Sequence, residues 1–372
     1  MGKTWVTIFP QAKNFHLVKD VGYIPYIMYK NYGYNSKVVC YNNDKYDYLD
    51  KDVKGLKIDF IKRIFKQKTI DSAIYLLMNS RNIDVLQVYH LTRGHLIWIW
   101  IYKKINKQGK VFLKLDTNDD IKNIEFKSLF DKFNLRVLKK VDLITVETKI
   151  LHNWLRQNWE VNVEYIPNGF IPSRISNISE FRNKKNIILS VGRIGAPEKN
   201  NEMLIESFFK IYKKLPNWKV KFVGEYTGSF KKYLQNYVDK EPEFKEKVIL
   251  VGHVADREVL DEYYREAKIF CLTSLYESFG LVLVEAIKNG CYILTTDVLA
   301  ANDITNNGQF GKIFKSNDKL KLEEYIQNAC NDEKMLENLF MKIIEHAYEN
   351  FSWDIISNKI NELIRDIYKE MK

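Results

Sequence analysis

Cysteine, histidine and proline are all scarce in this chain, with 4, 6 and 7 among 372 residues. Cys40, Cys271, Cys291 and Cys330 are scattered, with no C-x-x-C pair and no cluster with histidine. That spacing excludes a disulfide framework and a structural zinc site. Long apolar runs are missing as well. The longest, HLIWIWIY at 95–102, is far short of the roughly 20 residues that span a bilayer. The opening MGKTWVTIFPQAKNF lacks the basic start, apolar middle and small-residue cleavage site of a secretory signal. A cytoplasmic protein is expected from these absences.

What is present is a globular balance, 46% hydrophobic and 28% charged residues, in a length that suggests two domains. Short apolar runs alternate with helical patterns, which predicts an α/β fold with parallel sheets. In the first half the strands fall near 4–9, 36–40, 85–88, 111–115, 143–146 and 163–166, with helices over 20–32 and 95–107. In the second half they fall near 187–191, 219–223, 248–251, 269–272 and 292–295, with helices over 202–214, 257–267 and 281–288. Each half reads as a doubly wound, Rossmann-like unit. The polar segment 168–184 separates them. The domains expected are 1–170 and 171–352, followed by an amphipathic helix over 353–372 whose stripe is Ile355, Ile356, Ile360, Leu363, Ile364 and Ile367. In open α/β sheets ligands sit at the carboxyl ends of the strands, so a cleft between the two domains is the expected site.

The formal net charge of +11 is uneven. Residues 1–170 hold 28 Lys and Arg against 17 Asp and Glu, whereas residues 171–372 hold 30 of each. A basic half beside a neutral half points to an anionic partner for the first half, or to lysines that only keep the surface soluble. Two basic stretches mix cations with apolar residues, KGLKIDFIKRIFKQK at 54–68 and HLIWIWIYKKINKQGK at 95–110. Both fit peripheral contact with an anionic membrane. Trp98 and Trp100 are expected to pack in the core.

The sharpest segment is SLYESFGLVLVEAIKNG, 274–290, which follows a strand and opens a helix near Phe279. Free N–H groups at a helix start favour a phosphate, and Gly280 allows close approach of a ligand. Glu277 sits just before the helix, where a carboxylate can accept hydrogen bonds from hydroxyls. Glu285 lies about one and a half turns in. It is flanked by Leu283, Val284, Ala286 and Ile287, among which an unpaired carboxylate is costly to bury. The second signal is SVGRIGAPEKNNEMLIESF, 190–208, where a strand ends in Gly192 and a loop carries Arg193 and Lys199. Two such cations can grip a diphosphate, or can simply be solvated.

Together, the G-R…K loop and the E-x7-E pair Glu277 and Glu285 resemble retaining glycosyltransferase family 4, which has the two-domain GT-B fold. Ile166-Pro167-Asn168-Gly169 resembles its hinge, Val251-Gly252-His253-Val254 its LGxV turn, and Phe351-Ser352-Trp353 its approach to the last helix. The likeness covers most of 160–372 and is weaker before that. It implies that Arg193 and Lys199 hold the diphosphate of a nucleotide-sugar donor and that Glu285 binds the ribose. Glu277 would contact the donor sugar, with Gly192, Ser278, Phe279, Gly280 and Leu281 around sugar and phosphate and His253 and Val254 at the base. One departure stands out: five residues separate Arg193 from Lys199, where the family usually has four.

In the first half, the loop after the first strand lacks the family's double glycine and offers Asn14, His16 and Lys19. His90 follows a strand end, as a histidine often does in the family, and suits acceptor binding or proton relay. Asp116 and Asn118 end the next strand. Asp116, Asp119 and Asp120 form no D-x-D, and the resemblance implies no metal and no cofactor beyond the nucleotide sugar.

The function the resemblance implies is hexose transfer with retention, from a nucleotide sugar with uridine as the commoner base, to a cell-surface glycan or lipid-linked acceptor. Such an enzyme would work in the cytoplasm at the inner face of the membrane. A sugar-nucleotide epimerase or phosphorylase on the same fold, and a catalytically silent partner subunit, remain alternatives. No nucleic-acid module is recognisable, so no nucleic-acid partner is expected.

Overall fold

The computed structural model describes residues 2–124, 129–172 and 180–369, so residues 173–179 of the linker expected at 168–184 lie outside the described residues, as do the last three residues of the helix expected over 353–372. The chain forms two compact units, Met1–Asn168 with Trp353–Lys372, and Gly169–Ser352.

The first unit contains the strands β1 (Thr4–Ile8), β2 (Asn35–Cys40), β3 (Lys57–Phe60), β4 (Val85–Tyr89), β5 (Lys110–Lys114), β6 (Leu143–Val146) and β7 (Glu164–Tyr165). Its helices are α1 (Asp20–Tyr32), α2 (Tyr48–Lys51), α3 (Lys68–Asn79), α4 (Arg93–Ile105), α5 (Leu129–Leu138) and α6 (Lys149–Asn158). The sheet runs β3-β2-β1-β4-β5-β6-β7, and every pair is parallel. Both faces are covered, so β4 and β5 are buried at every position.

The second unit contains β8 (Lys185–Val191), β9 (Lys219–Val223), β10 (Val248–Gly252), β11 (Ala267–Leu272), β12 (Tyr292–Thr296) and β13 (Gly311–Phe314). Its helices are α7 (Asn201–Ile211), α8 (Gly228–Lys240), α9 (Arg257–Glu266), α10 (Leu281–Lys288), α11 (Ala301–Ile304), α12 (Lys319–Asn331) and α13 (Glu333–Phe351). The parallel order is β10-β9-β8-β11-β12-β13. In both sheets the chain starts in the middle, winds outward one way, then returns to wind the other way. The crevice for a ligand in such a sheet lies where the direction switches. Those points are β1/β4 and β8/β11.

The last helix, α14 (Trp353–Lys369), belongs to the first unit and packs on α1. Trp353, Ile356, Ile360 and Ile364 are buried, Trp353 stacks near Tyr23 with centroids 5.8 Å apart, and Tyr368 donates a 3.0 Å hydrogen bond to the Asp84 carbonyl. Ile355, expected on the buried stripe, is exposed instead, because it lies one step round the helix from Ile356.

One further expectation changes. Trp98 is buried and donates to the Thr69 carbonyl at 2.8 Å, but Trp100 faces solvent. Residues two positions apart on a helix are rotated by about 200°, so Trp98 and Trp100 cannot both face one core. The basic stretch 54–68 becomes β3 followed by an irregular loop.

Candidate functional site

The loop after β8 and the loop after β11 meet at the switch point of the second sheet. Gly192 follows β8 with φ 150°, and its N–H donates to the Val223 carbonyl at 3.0 Å. Gly224, at the end of β9, has φ 134°, and a Cβ there would stand 1.8 Å from the Gly192 carbonyl oxygen. Only glycine permits that approach, so the backbones lie close together where a ligand would rest.

The five residues between Arg193 and Lys199 fold into a tight loop. Gly195 takes φ 77°, residues Pro197–Lys199 make one 3-10 turn, and Asn200 caps α7 with φ 47°. The loop from β11 grips this turn. Leu275 N–H donates to the Glu198 carbonyl at 2.8 Å, and Thr273 Oγ1 donates to the Lys199 carbonyl at 3.0 Å. Lys199 is thereby placed so that its Nζ lies 2.5 Å from Glu277 Oε1, and Ser274 Oγ donates to the same oxygen at 2.8 Å. Arg193, by contrast, has a side chain 75% exposed and forms an ion pair with Glu198.

The helix expected to open at Phe279 opens two residues later. Phe279 is buried, with its ring near Phe351, and Gly280 is the N-cap with φ 82°. Left-handed geometry at Gly280 turns the chain from Ser278 into α10, and Leu281 is the first helical residue. Glu285 lies half-buried on α10, where Tyr264 Oη donates to its Oε2 at 2.8 Å. Burial pushes the Glu285 carboxyl above its ordinary range, against the pull of the Tyr264 hydroxyl. Burial also pushes the Tyr264 phenol far up, so it remains a hydrogen-bond donor. His253, exposed, and Val254, half-buried, follow the end of β10.

In the first unit His90 directly follows β4 and Asp116 lies two residues past β5, and both are left-handed, with φ 58° and 40°. Left-handed non-glycine residues are uncommon and cluster at functional turns. His90 Nδ1 lies 3.1 Å from the Asp116 carbonyl oxygen and 3.9 Å from Asp116 Oδ2. A carbonyl can only accept, so Nδ1 carries the proton in the neutral ring and Nε2 keeps a lone pair. A cavity of about 290 Å³ opens here, lined by His90, Leu91, Asp116, Thr117 and Asp120 among others. Asn118 serves as a cap, its Oδ1 accepting from Asp120 N–H at 3.1 Å.

Asn14 and His16 shape their own loop. Asn14 Oδ1 accepts from Tyr48 N–H at 3.0 Å, and His16 Nδ1 accepts from Lys13 N–H at 2.9 Å. Burial, helped by the charge of Lys19, holds the His16 imidazole below its ordinary value. Lys19 is the N-cap of α1, with its ammonium 5.1 Å from the Phe15 ring centre.

Sequence reasoning missed the group beneath Asp116. Lys114, wholly buried at the end of β5, has its Nζ 2.5 Å from Glu147 Oε1 and 3.2 Å from Asp20 Oδ2. Glu147 Oε1 also accepts from Asp116 N–H at 3.0 Å, which ties the cluster to the turn. Burial opposes the Lys114 charge, but Glu147 and Asp20 outweigh it and raise its pKa. Burial raises both carboxyls. The signal was a lysine at each end of an otherwise apolar strand, KVFLK. Among the described residues no group of three or more His, Cys, Asp or Glu could hold a metal ion.

Two doubly wound parallel-sheet units, with cations and carboxylates gathered at the switch point of the second, have the architecture of the GT-B fold. Residues 173–350 match the family model described as glycosyl transferases group 1. It is 24% identical over 274 residues to the capsular polysaccharide biosynthesis glycosyltransferase CapM of Staphylococcus aureus, covering 69% of each chain. It is 27% identical over 217 residues to an N-acetylgalactosamine-N,N'-diacetylbacillosaminyl-diphospho-undecaprenol 4-alpha-N-acetylgalactosaminyltransferase of Campylobacter jejuni, covering 56% of this chain and 57% of that one. Among solved structures it is similar to Anabaena HepE in complex with UDP, at a TM-score of 0.75 and 15% identity over 98% of this chain and 100% of that one.

Proposed function

We propose that this glycosyltransferase moves a hexose from a uridine diphosphate sugar, with retention, to a cell-envelope glycan or lipid-linked oligosaccharide. The observation that carries this reading is the Lys199–Glu277 pair at the β8/β11 switch point, with Glu285 half-buried one helix further on. A diphosphate would take over Lys199 and draw on Arg193, whose exposed side chain can swing from Glu198. Glu277, released from Lys199, would accept hydrogen bonds from the donor sugar, and Glu285 from the ribose hydroxyls. Gly280, Leu281 and their neighbours offer backbone N–H groups at the start of α10.

In the reaction the C1–O bond to the diphosphate breaks on the face where the acceptor hydroxyl attacks, and the hydroxyl proton passes to the departing phosphate oxygen. Lys199 and Arg193 stabilise the charge that develops there. On the first unit, His90 Nε2 can accept from a hydroxyl of the acceptor, as can the carboxylates of Asp116 and Asp120 in the same cavity. The lipid-linked acceptor of the Campylobacter relative and the capsular role of the Staphylococcus relative favour a membrane-borne or envelope acceptor, as does the basic first half. Among the described residues no helix is long and apolar enough to cross a membrane, so work at the inner membrane face would depend on peripheral contact.

The test is a thermal-shift screen of uridine and guanosine diphosphate sugars on the full chain, repeated with Arg193→Ala and Glu285→Ala. Stabilisation by one donor, lost in both variants, supports the reading. A chain that no nucleotide sugar stabilises would sink it.

A further inference from the structure

We propose that the loop joining β3 to α3, residues 61–67, docks on an anionic lipid surface. Its position comes from the sheet. β3 is parallel to β2, which is parallel to β1, so the loop leaves the same carboxyl edge that carries His16, His90 and Asp116. Its charge is of one sign. Lys62, Arg63, Lys66 and Lys68 follow one another with no acid between Asp59 and Asp71. Those two flanking acids are engaged internally. Asp59 lies 2.5 Å from Lys37 Nζ and accepts from Tyr75, while Asp71 accepts from Tyr41 Oη and from Phe65 N–H, both at 2.8 Å.

The apolar part of the loop is presented rather than packed. Ile64 and Phe65 are 57% and 60% exposed, and every residue from Lys62 to Ile70 is exposed. The backbone beneath them is nevertheless fixed. Ile61 is buried and its N–H donates to the Cys40 carbonyl at 2.8 Å, Asp71 holds the Phe65 N–H, and Arg63 donates to Asn43 Oδ1 at 2.9 Å. Two apolar side chains on a held turn, ringed by cations, match the boundary between headgroups and acyl chains. The cations complement an anionic leaflet. A single-stranded nucleic acid would be met by stacked aromatic platforms, whereas here one of the two protruding residues is aliphatic. The chain's whole charge excess also lies in residues 1–170.

Such docking would set the edge bearing His90 and Asp116 beside the bilayer. That purpose rests on the proposed transferase reading, whereas lipid binding is measured without any donor. The experiment is co-sedimentation of the full chain with phosphatidylcholine vesicles, with and without phosphatidylglycerol. It compares the wild type with Ile64→Ser/Phe65→Ser and with Lys62→Glu/Lys66→Glu, and records the melting temperature and UDP affinity of each. Expected is sedimentation with the anionic vesicles alone, lowered at least about ten-fold in each double variant, with folding and UDP affinity unchanged. Wild-type partition in both variants, or no sedimentation with anionic vesicles, overturns the proposal. So does equal capture by a single-stranded oligonucleotide that the same variants abolish. Absence of UDP binding in the wild type would count against the transferase reading alone.

Discussion

Lys199 Nζ and Glu277 Oε1 are 78 residues apart in sequence and 2.5 Å apart in space. Two adjacent switch-point loops supply them, and the hydrogen bonds from Leu275 and Thr273 to the Lys199 turn fix their meeting. With both side chains under 20% exposed, each group holds the other in place.

Lys199→Ala and Glu277→Ala are each expected to lower kcat by about 10²–10³-fold, the loss seen when one group facing developing charge is removed. The double variant should lose less than the product of the two, because the residues act as a unit. Steady-state kinetics on the four proteins check this. Fully multiplicative losses would mean that the two groups act independently.

Glu285→Ala is expected to weaken UDP binding by about 1.5–3 kcal/mol, the range for hydrogen bonds to a charged group. A 2',3'-dideoxy uridine diphosphate should bind both proteins alike. Tyr264→Phe removes the hydroxyl that orients the carboxylate and should cost about 1 kcal/mol with the ribose-containing nucleotide. Calorimetry with the two nucleotides separates a ribose contact from a general loosening of α10.

The pH dependence of UDP affinity should carry the mark of Glu285. Burial raises its carboxyl, and the ionised form is the better acceptor for hydroxyls. Affinity should therefore be full above the raised value and fall as the pH drops through it, at a pH higher than ordinary carboxylates titrate. Glu285→Gln should be weaker and flat over that window. A wild-type profile that the glutamine variant reproduces would assign the titration elsewhere.

Lys114→Met should destabilise the chain by about 3–5 kcal/mol, because it strands two buried carboxylates. In the variant the folded state holds protons on Asp20 and Glu147 more tightly than the unfolded chain does. Stability should therefore recover as the pH falls through their folded-state values and be lowest above them. Urea unfolding at several pH values tests this, and Lys114→Met/Glu147→Gln should regain part of the loss at neutral pH.

Much of the architecture could be read from the chain, because parallel strands buried on both faces stand out as apolar runs and α1 carries its own boundaries. The Glu277–Glu285 segment was legible because a strand, a glycine and a helix follow one another within a few residues. The Lys199–Glu277 contact was not, since it depends on which loops become neighbours. Nor was the Lys114–Glu147–Asp20 cluster, in which three residues from α1, β5 and the end of β6 meet only once register is set. Trp98 and Trp100 show the limit of counting apolar residues without following the helical phase.

The return of α14 to the first unit affects how the protein is made. The second unit is continuous, so a growing chain can complete it while the first still lacks its final helix. Until then the α1 surface that receives Trp353, Ile356 and Ile360 stays open on the nascent polypeptide. The part translated first is therefore finished last, and a chaperone would find its target on that uncovered flank.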